Sequence, residues 1–336
     1  MANIALRNPQ FKSIELTATA NSAVCIVKVN NIVRYTLTKN KPSAGGLIGS
    51  NITLNFDIAE LARDYLEIAY QSDYVTQTVN IKTDLSTYTL PNGQGSVVDT
   101  EATIEDEGFE AYGTFEEGVN PEVPFRSLPS YLISKSTASQ FEILVPNGVE
   151  GKLPSISLSS VVSAVSYSGT AASVPTIPGG PVCNIKRIDC TKYGDGNSII
   201  FINKYGAQQD LWFFLKQTRN ISRTNEGYKS NTITYPTSGA TYDVKNAPNK
   251  VFNTQAKQTH TLSSGYYPEF ANQFFEELLL SEYVWLDPST LNSARTSLIP
   301  VKVKTSSVAF KTSVNDRLIE YTIEFEEAFD YINNIR

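Results

Sequence analysis

The chain has 336 residues and a mass of 37.0 kDa, enough for two or three domains of ordinary size. Charged residues make up 18%, and 28 basic against 34 acidic side chains leave a net charge of −6. That balance excludes a highly charged disordered chain and a general nucleic-acid binder, which needs a basic surface. A single histidine, His260, removes most histidine-based metal sites and leaves one histidine as a possible general base.

The N-terminal residues Met1 to Pro9 show neither a basic stretch before an apolar core nor an Arg-rich amphipathic pattern, so no signal or transit peptide is expected. No apolar run approaches the roughly eighteen residues that span a bilayer. Cys25, Cys183 and Cys190 are too few for a disulfide framework in a chain this long. Cys183 and Cys190 are close enough to bridge the base of a loop, but buried thiols made in a reducing cytoplasm are the simpler expectation. The sequons at Asn51 and Asn220 carry little weight without a secretory signal.

In chain order, strand-like alternation comes first, in Ser13–Thr19, Ala23–Val29 and Ile32–Leu37. Asn30-Asn31 between the last two reads as a hairpin turn, because Asn tolerates positive φ. A helix follows, with Asp57 as N-cap, Glu60 three residues on, and Ile58, Leu61, Ala62, Tyr65, Leu66 and Ala69 forming an apolar face. Strands resume at Tyr74–Thr83 and Tyr88–Leu90, closed by Pro91-Asn92-Gly93. Between Lys82 and Arg126 there is no basic residue, while Asp99, Glu101, Glu105, Asp106, Glu107, Glu110, Glu116, Glu117 and Glu122 accumulate. This reads as a solvated acidic face or a partner-docking edge. From about Gly151 to Pro181 the composition turns to Ser, Ala, Val, Gly and Pro, as in an extended arm or linker.

A hairpin is expected from Ser198–Asn203 and Asp210–Leu215 around Lys204-Tyr205-Gly206. Residues 216–262 are polar and rich in Asn, Thr, Lys and Tyr, and read as a long functional or partner-ordered loop. A second helix is expected over Pro268 to Leu280, with Pro268 in its first turn and Phe270, Phe274, Phe275 and Leu278 on one side. The tail alternates: Ile319, Tyr321, Ile323 and Phe325 face one way, Glu320, Thr322, Glu324 and Glu326 the other. The expected fold class is mainly β, with β-sandwich-type domains, two short helices and long extended loops or arms. Its segments are an N-terminal β-sandwich-like domain with one helix (1–98), an acidic segment and Ser/Pro/Gly-rich arm (99–182), and a β-rich domain with one helix (183–336).

Chemistry finds little support. His260 lies in Gln258-Thr259-His260-Thr261-Leu262, with no Gly-x-Ser-x-Gly elbow, and reads as an ordinary surface or hydrogen-bonded histidine. There is no P-loop and no dinucleotide-binding glycine pattern. Glu105-Asp106-Glu107-Gly108 lacks the spacing of an EF-hand. A glycosidase carboxylate pair is a spatial feature that spacing does not reveal. Trp212 and Trp285 sit in apolar surroundings and read as core anchors rather than sugar platforms. No catalytic, cofactor-binding or metal-binding residue is therefore assigned.

Several segments resemble one group of proteins: Asn55–Leu66, Gly113–Pro121, Phe201–Phe214, Leu279–Leu286 and Ile319–Glu326. Together they are similar to virion structural proteins of tailed bacteriophages, in particular those infecting Bacteroidetes, and within them to distal-tail or baseplate hub proteins. The segments at 126–182 and 216–262 match no feature of that group. The resemblance implies a ring-forming β-domain and no catalytic residues. The expectation is a non-enzymatic structural protein, made in the host cytoplasm and carried in the virion. Its expected partners are copies of itself in a ring and neighbouring tail proteins, with no nucleic acid and no membrane span. A capsid, neck or head-surface protein is the nearest alternative, and a carbohydrate-binding adhesion module a second. A glycosidase ranks last.

Overall fold

In the computed structural model the described residues are 2–42, 52–72, 76–121, 123, 196–287, 297–312 and 318–331, together with the backbone of 141–146, 151–154, 164–167 and 183–188. The fold is mainly β, consistent with β-sandwich-type packing. It divides into two units: Met1–Asp189 with Ile200–Leu211 and Phe270–Tyr283, and Cys190–Ile199 with Trp212–Glu269 and Val284–Arg336.

The first unit begins with β1 (Ala2–Ala5), β2 (Phe11–Leu16), β3 (Ser22–Val29) and β4 (Ile32–Asn40). Asn30 and Asn31 join β3 to β4 with φ of 51° and 65°, so the expected hairpin closes through two residues in the left-handed region. Then come β5 (Ile52–Asp57), α1 (Ala59–Arg63), β6 (Thr78–Leu90), β7 (Gln94–Thr100) and β8 (Ile104–Phe109). The central strand β6 pairs antiparallel with β3 on one side and with β8 and β7 in turn on the other, while β1 runs parallel to β8. Strands β2 and β5 form a separate antiparallel pair. Alternation places Ala23, Cys25, Val27 and Val29 of β3, and Val79, Ile81 and Leu85 of β6, on one face. They share a core with Ile14, Leu16, Leu54 and Phe56 from the β2–β5 pair, the arrangement of a sandwich.

Two local expectations are corrected here. The first helix stops at Arg63, and its N-cap is Ile58 rather than Asp57. The Asp57 carboxylate instead accepts from the backbone N–H of Ala59 at 3.1 Å and of Gln10 at 3.0 Å, so it stitches β2 to the helix entry. Residues beyond Arg63 close by three-residue turns, Tyr65 N–H to Ala62 and Leu66 N–H to Arg63, and Leu66 still reaches the core. Strand β9 (Phe141–Pro146) precedes the stretch expected as an arm, which contains β10 (Gly151–Pro154) and β11 (Ala164–Tyr167), and β12 (Cys183–Ile188) follows it. Strands β9 and β12 pair in parallel, β10 and β11 antiparallel. The rest of 126–182, and Cys190, lie outside the described residues.

The second helix, α2 (Asn272–Leu280), buries Phe274, Phe275 and Leu278 as expected. It begins later than Pro268: a 3₁₀ turn covers Glu269–Ala271, and Pro268 pairs with Leu318 in a short ladder.

The remaining strands are β13 (Asn197–Ile202), β14 (Gln208–Phe213), β15 (Gln217–Lys229), β16 (Ile233–Thr234), β17 (Thr241–Tyr242), β18 (Asn249–Ser263), β19 (Tyr267–Pro268), β20 (Val284–Leu286), β21 (Ile299–Val303), β22 (Leu318–Ile319) and β23 (Thr322–Glu327). A seven-stranded sheet has the order β14-β13-β20-β21-β23-β18-β15. Strands β13 and β14 are the expected hairpin, turned at Gly206 with φ of 82°. In the second unit Ile319, Tyr321, Ile323 and Phe325 are buried as the tail's alternation predicts, and Phe325 meets Phe213 edge-on at 5.7 Å. Trp212 and Trp285 are both buried.

Candidate functional site

Residues 216–262 are the main departure from the sequence reading, because they are not a loop. Strand β15, of 13 residues, and strand β18, of 15, form a long antiparallel ribbon that starts at Gln217 opposite Leu262 and ends at Lys229 opposite Asn249. The inner part of β18 is held by β23, with His260 opposite Phe325 and Leu262 opposite Ile323. The outer part has no third strand among the described residues. From Thr218 to Lys229 every residue of β15 is exposed, so both faces of the ribbon meet solvent.

Local chemistry explains the ribbon's shape. Thr, Ile and Tyr in β15 and Val, Phe and Thr in β18 favour extended backbone. At Glu226-Gly227 the register shifts, leaving Phe252 as the extra residue on β18. A Cβ on Gly227 would stand 3.1 Å from the Lys250 carbonyl oxygen, so the close approach suits glycine. Tyr228 and Phe252 sit beside this bulge with ring centroids 6.3 Å apart. Beyond it, β16 and β17 make a small second hairpin, turned where Gly239 N–H donates to the Pro236 carbonyl. Ser230 N–H donates to the Pro248 carbonyl at 2.7 Å and closes its base. The tip presents Tyr235, Tyr242 and Val244 at 75%, 70% and 83% exposure. An isolated two-stranded ribbon is marginal in water, and large apolar side chains displayed on one mark a contact surface.

The root of the ribbon is polar and buried. His260 and Gln258 lie on the core face of β18, with Glu327 beside them on β23. The His260 Nε2 stands 3.0 Å from a Glu327 carboxylate oxygen and 3.0 Å from the Gln258 amide nitrogen. With its proton on Nε2, the imidazole donates to Glu327 across the two strands. His260 Nδ1 and Gln258 Oε1 have no hydrogen-bond partner among the described residues. Histidine and carboxylate thus form a pair, but the adjacent hydroxyls, Thr259 and Thr261, point to the other face by strand alternation. The expected hydrogen-bonded histidine is found, buried rather than at the surface. What it does here is tie β18 to β23 where the ribbon leaves the sheet. Lys257 with Glu326, at 3.0 Å, adds a tie on the opposite face.

No protein-family model, characterised protein or solved structure matches the chain.

The acidic stretch is part solvated face, with Asp99, Glu101 and Glu116 exposed, and part internal pairing. Four of its carboxylates are answered by cations from elsewhere in the chain. Lys12 meets Asp106 at 2.6 Å, and Lys82 meets Glu105 at 2.6 Å. Buried Glu110 accepts from Arg63, which also reaches Glu282 at 2.7 Å, while Arg7 meets Glu282 at 3.3 Å. The Glu110 hydrogen bond, working against burial, holds the Arg63 guanidinium far above the ordinary arginine range. Lys204 bonds Glu117. Burial opposes ionisation there, yet Lys204 and the Thr114 backbone keep the Glu117 carboxyl below its usual value. Among the described residues, no group of three or more His, Cys, Asp or Glu side chains is placed to hold a metal ion.

The loop carrying Glu117 is locked. Thr114 and Glu117 form a capping box, Asn8 bonds both the N–H and carbonyl of Gly113, and Asn120 accepts from Phe11 N–H at 2.6 Å. It presents Phe115 fully exposed and Val119 largely so. Neither this display nor the ribbon carries a periodic apolar signal, so sequence reasoning missed the exposed aromatics. The traceable signal was the Tyr- and Lys-rich composition of 216–262. No described helix is long and apolar enough to cross a membrane.

Proposed function

We propose that the protein is a non-enzymatic structural component of a tailed-bacteriophage virion, a ring-forming distal-tail or baseplate hub protein. The observation that carries this reading is the projecting ribbon of β15 and β18, exposed on both faces and set with aromatic side chains. A chain that keeps such a ribbon uncovered has a use for it in assembly, where a neighbour covers it. The mainly-β architecture and the segment resemblances noted above point the same way. Polar, Thr-rich edges with interspersed tyrosines lower the desolvation cost of a large contact and supply hydrogen bonds across it.

An antibody raised against the full chain, applied with gold labelling to phage particles from producing cultures, tests the reading. Label at the distal end of the tail supports it. Label on the head or neck favours another virion structural role, and particles without label overturn it. The exposed Tyr235 and Tyr242 favour one second reading, a carbohydrate-binding adhesion module. Saturable binding to a glycan array by a stable monomer would select that reading instead.

A further inference from the structure

We propose that the β15–β18 ribbon of one copy docks on an acidic surface of a second copy, and that the contact is heterologous. The inference rests on the assembly reading above and names its contact. Residues 217–255 carry Arg219, Arg223, Lys229, Lys245 and Lys250 against Glu226 and Asp243, a net charge of +3. The whole chain is −6, so the remainder is −9. The ribbon is therefore a basic projection from an acidic body.

That asymmetry decides between two ways of pairing copies. Two ribbons laid edge to edge would bring like charges together along 13 residues, which is unfavourable. A ribbon against another copy's body brings opposite charges together, with the free edge of β15 and the exposed Tyr228, Phe252, Tyr235 and Tyr242 supplying hydrogen bonds and buried area. A contact between two different patches is head-to-tail, and repeated head-to-tail contacts close into rings or run on as filaments.

The counter-surface lies at α1. Glu60, Asp64 and Glu67 are exposed, and the arginine among them, Arg63, is committed to Glu110 and Glu282. In the 99–122 stretch Glu105, Asp106, Glu110 and Glu117 are matched by lysines and arginines of the same copy, while Asp99, Glu101 and Glu116 are exposed. The α1 segment gathers three exposed carboxylates within eight residues, and this is the acidic surface we assign to the contact.

The test is a charge exchange in the full-length protein, read by sedimentation velocity over a concentration series. One variant carries Arg223→Glu, Lys229→Glu and Lys250→Glu; the other carries Glu60→Lys, Asp64→Lys and Glu67→Lys. Each alone is expected to raise the apparent dissociation constant of the assembly about tenfold or more. Mixed in equal amounts they restore assembly with even subunit numbers, since each ribbon then finds an opposite charge. Unchanged assembly by either variant, or a mixture that fails to recover, overturns the proposal. Should a variant not fold, salt titration of the unaltered protein serves: weakening with added NaCl is expected, and salt-independent assembly overturns it. Rings that persist in the ribbon variant refute this contact alone, whereas a wild-type chain that stays monomeric refutes the assembly reading as well.

Discussion

Two residues in the core of the first unit show how burial sets chemistry. Cys25 is fully buried between β4 and β6, and burial, with the Asp84 carboxylate adding to it, pushes its thiol up to about 12. It is a packing residue, so alkylating reagent at neutral pH should leave Cys25 unlabelled in the folded protein and label it on unfolding, as peptide mapping would show. Rapid labelling of the native chain would contradict this. Asp84 itself accepts from Lys28 at 2.6 Å and from Thr103 at 2.6 Å, and these bonds hold its carboxyl below the usual range. Its folded value lies below its unfolded one, so the stabilisation is present above the ordinary aspartate pKa and is lost as pH falls through the folded value. Asp84→Asn should therefore cost about 1 kcal/mol near neutrality, with the difference from wild type shrinking in strong acid; urea unfolding at both conditions checks it. At Asn30 and Asn31, both at positive φ, Ala at each position should cost about 1 kcal/mol, while Asn31→Gly should be neutral or stabilising.

At the scale of elements, what was legible in the sequence is what burial writes into it. Strands β3 and β23 each have one buried face, so their apolar residues alternate and could be read directly, whereas β6 was split, because it runs unbroken from Thr78 through Asp84–Thr87 to Leu90. The β15–β18 ribbon has no buried face over most of its length, so period-two hydrophobicity is absent and a 47-residue polar stretch looks like a loop. Helix α1 erred in the opposite direction: Tyr65 and Leu66 keep helical spacing, but the chain turns away after Arg63 and packs Leu66 from a turn. The paired part of the acidic stretch was hidden for a third reason. Its cations, Lys12, Arg63 and Lys204, come from distant positions, and pairing across that separation leaves no trace in local charge pattern. The ribbon's independence is itself testable. Replacing residues 225–254 by Asn-Gly joins Thr224 to Gln255, which already face each other, and should change the unfolding free energy of the chain by no more than about 0.5 kcal/mol. Failure of that shortened chain to fold would show that the ribbon is part of the core rather than a projection from it.

On the scale of the whole molecule, the protein joins sheets with packed apolar cores to surfaces that a single copy leaves uncovered among the described residues. The locked loop with Phe115 and the ribbon with its tyrosines are built differently, one held by a capping box and side-chain bonds, the other by a ladder alone. Both hold side chains out in defined positions, which would reduce the ordering cost of the proposed association. The sequence reading anticipated a chain with surfaces for assembly, and the ribbon and the Phe115 loop are the exposed segments on which that proposal rests. Native mass spectrometry of the purified full-length protein, with negative-stain imaging of the same sample, tests that account most directly. Closed rings of one fixed subunit number are the expected result; a compact monomer at every concentration would contradict it.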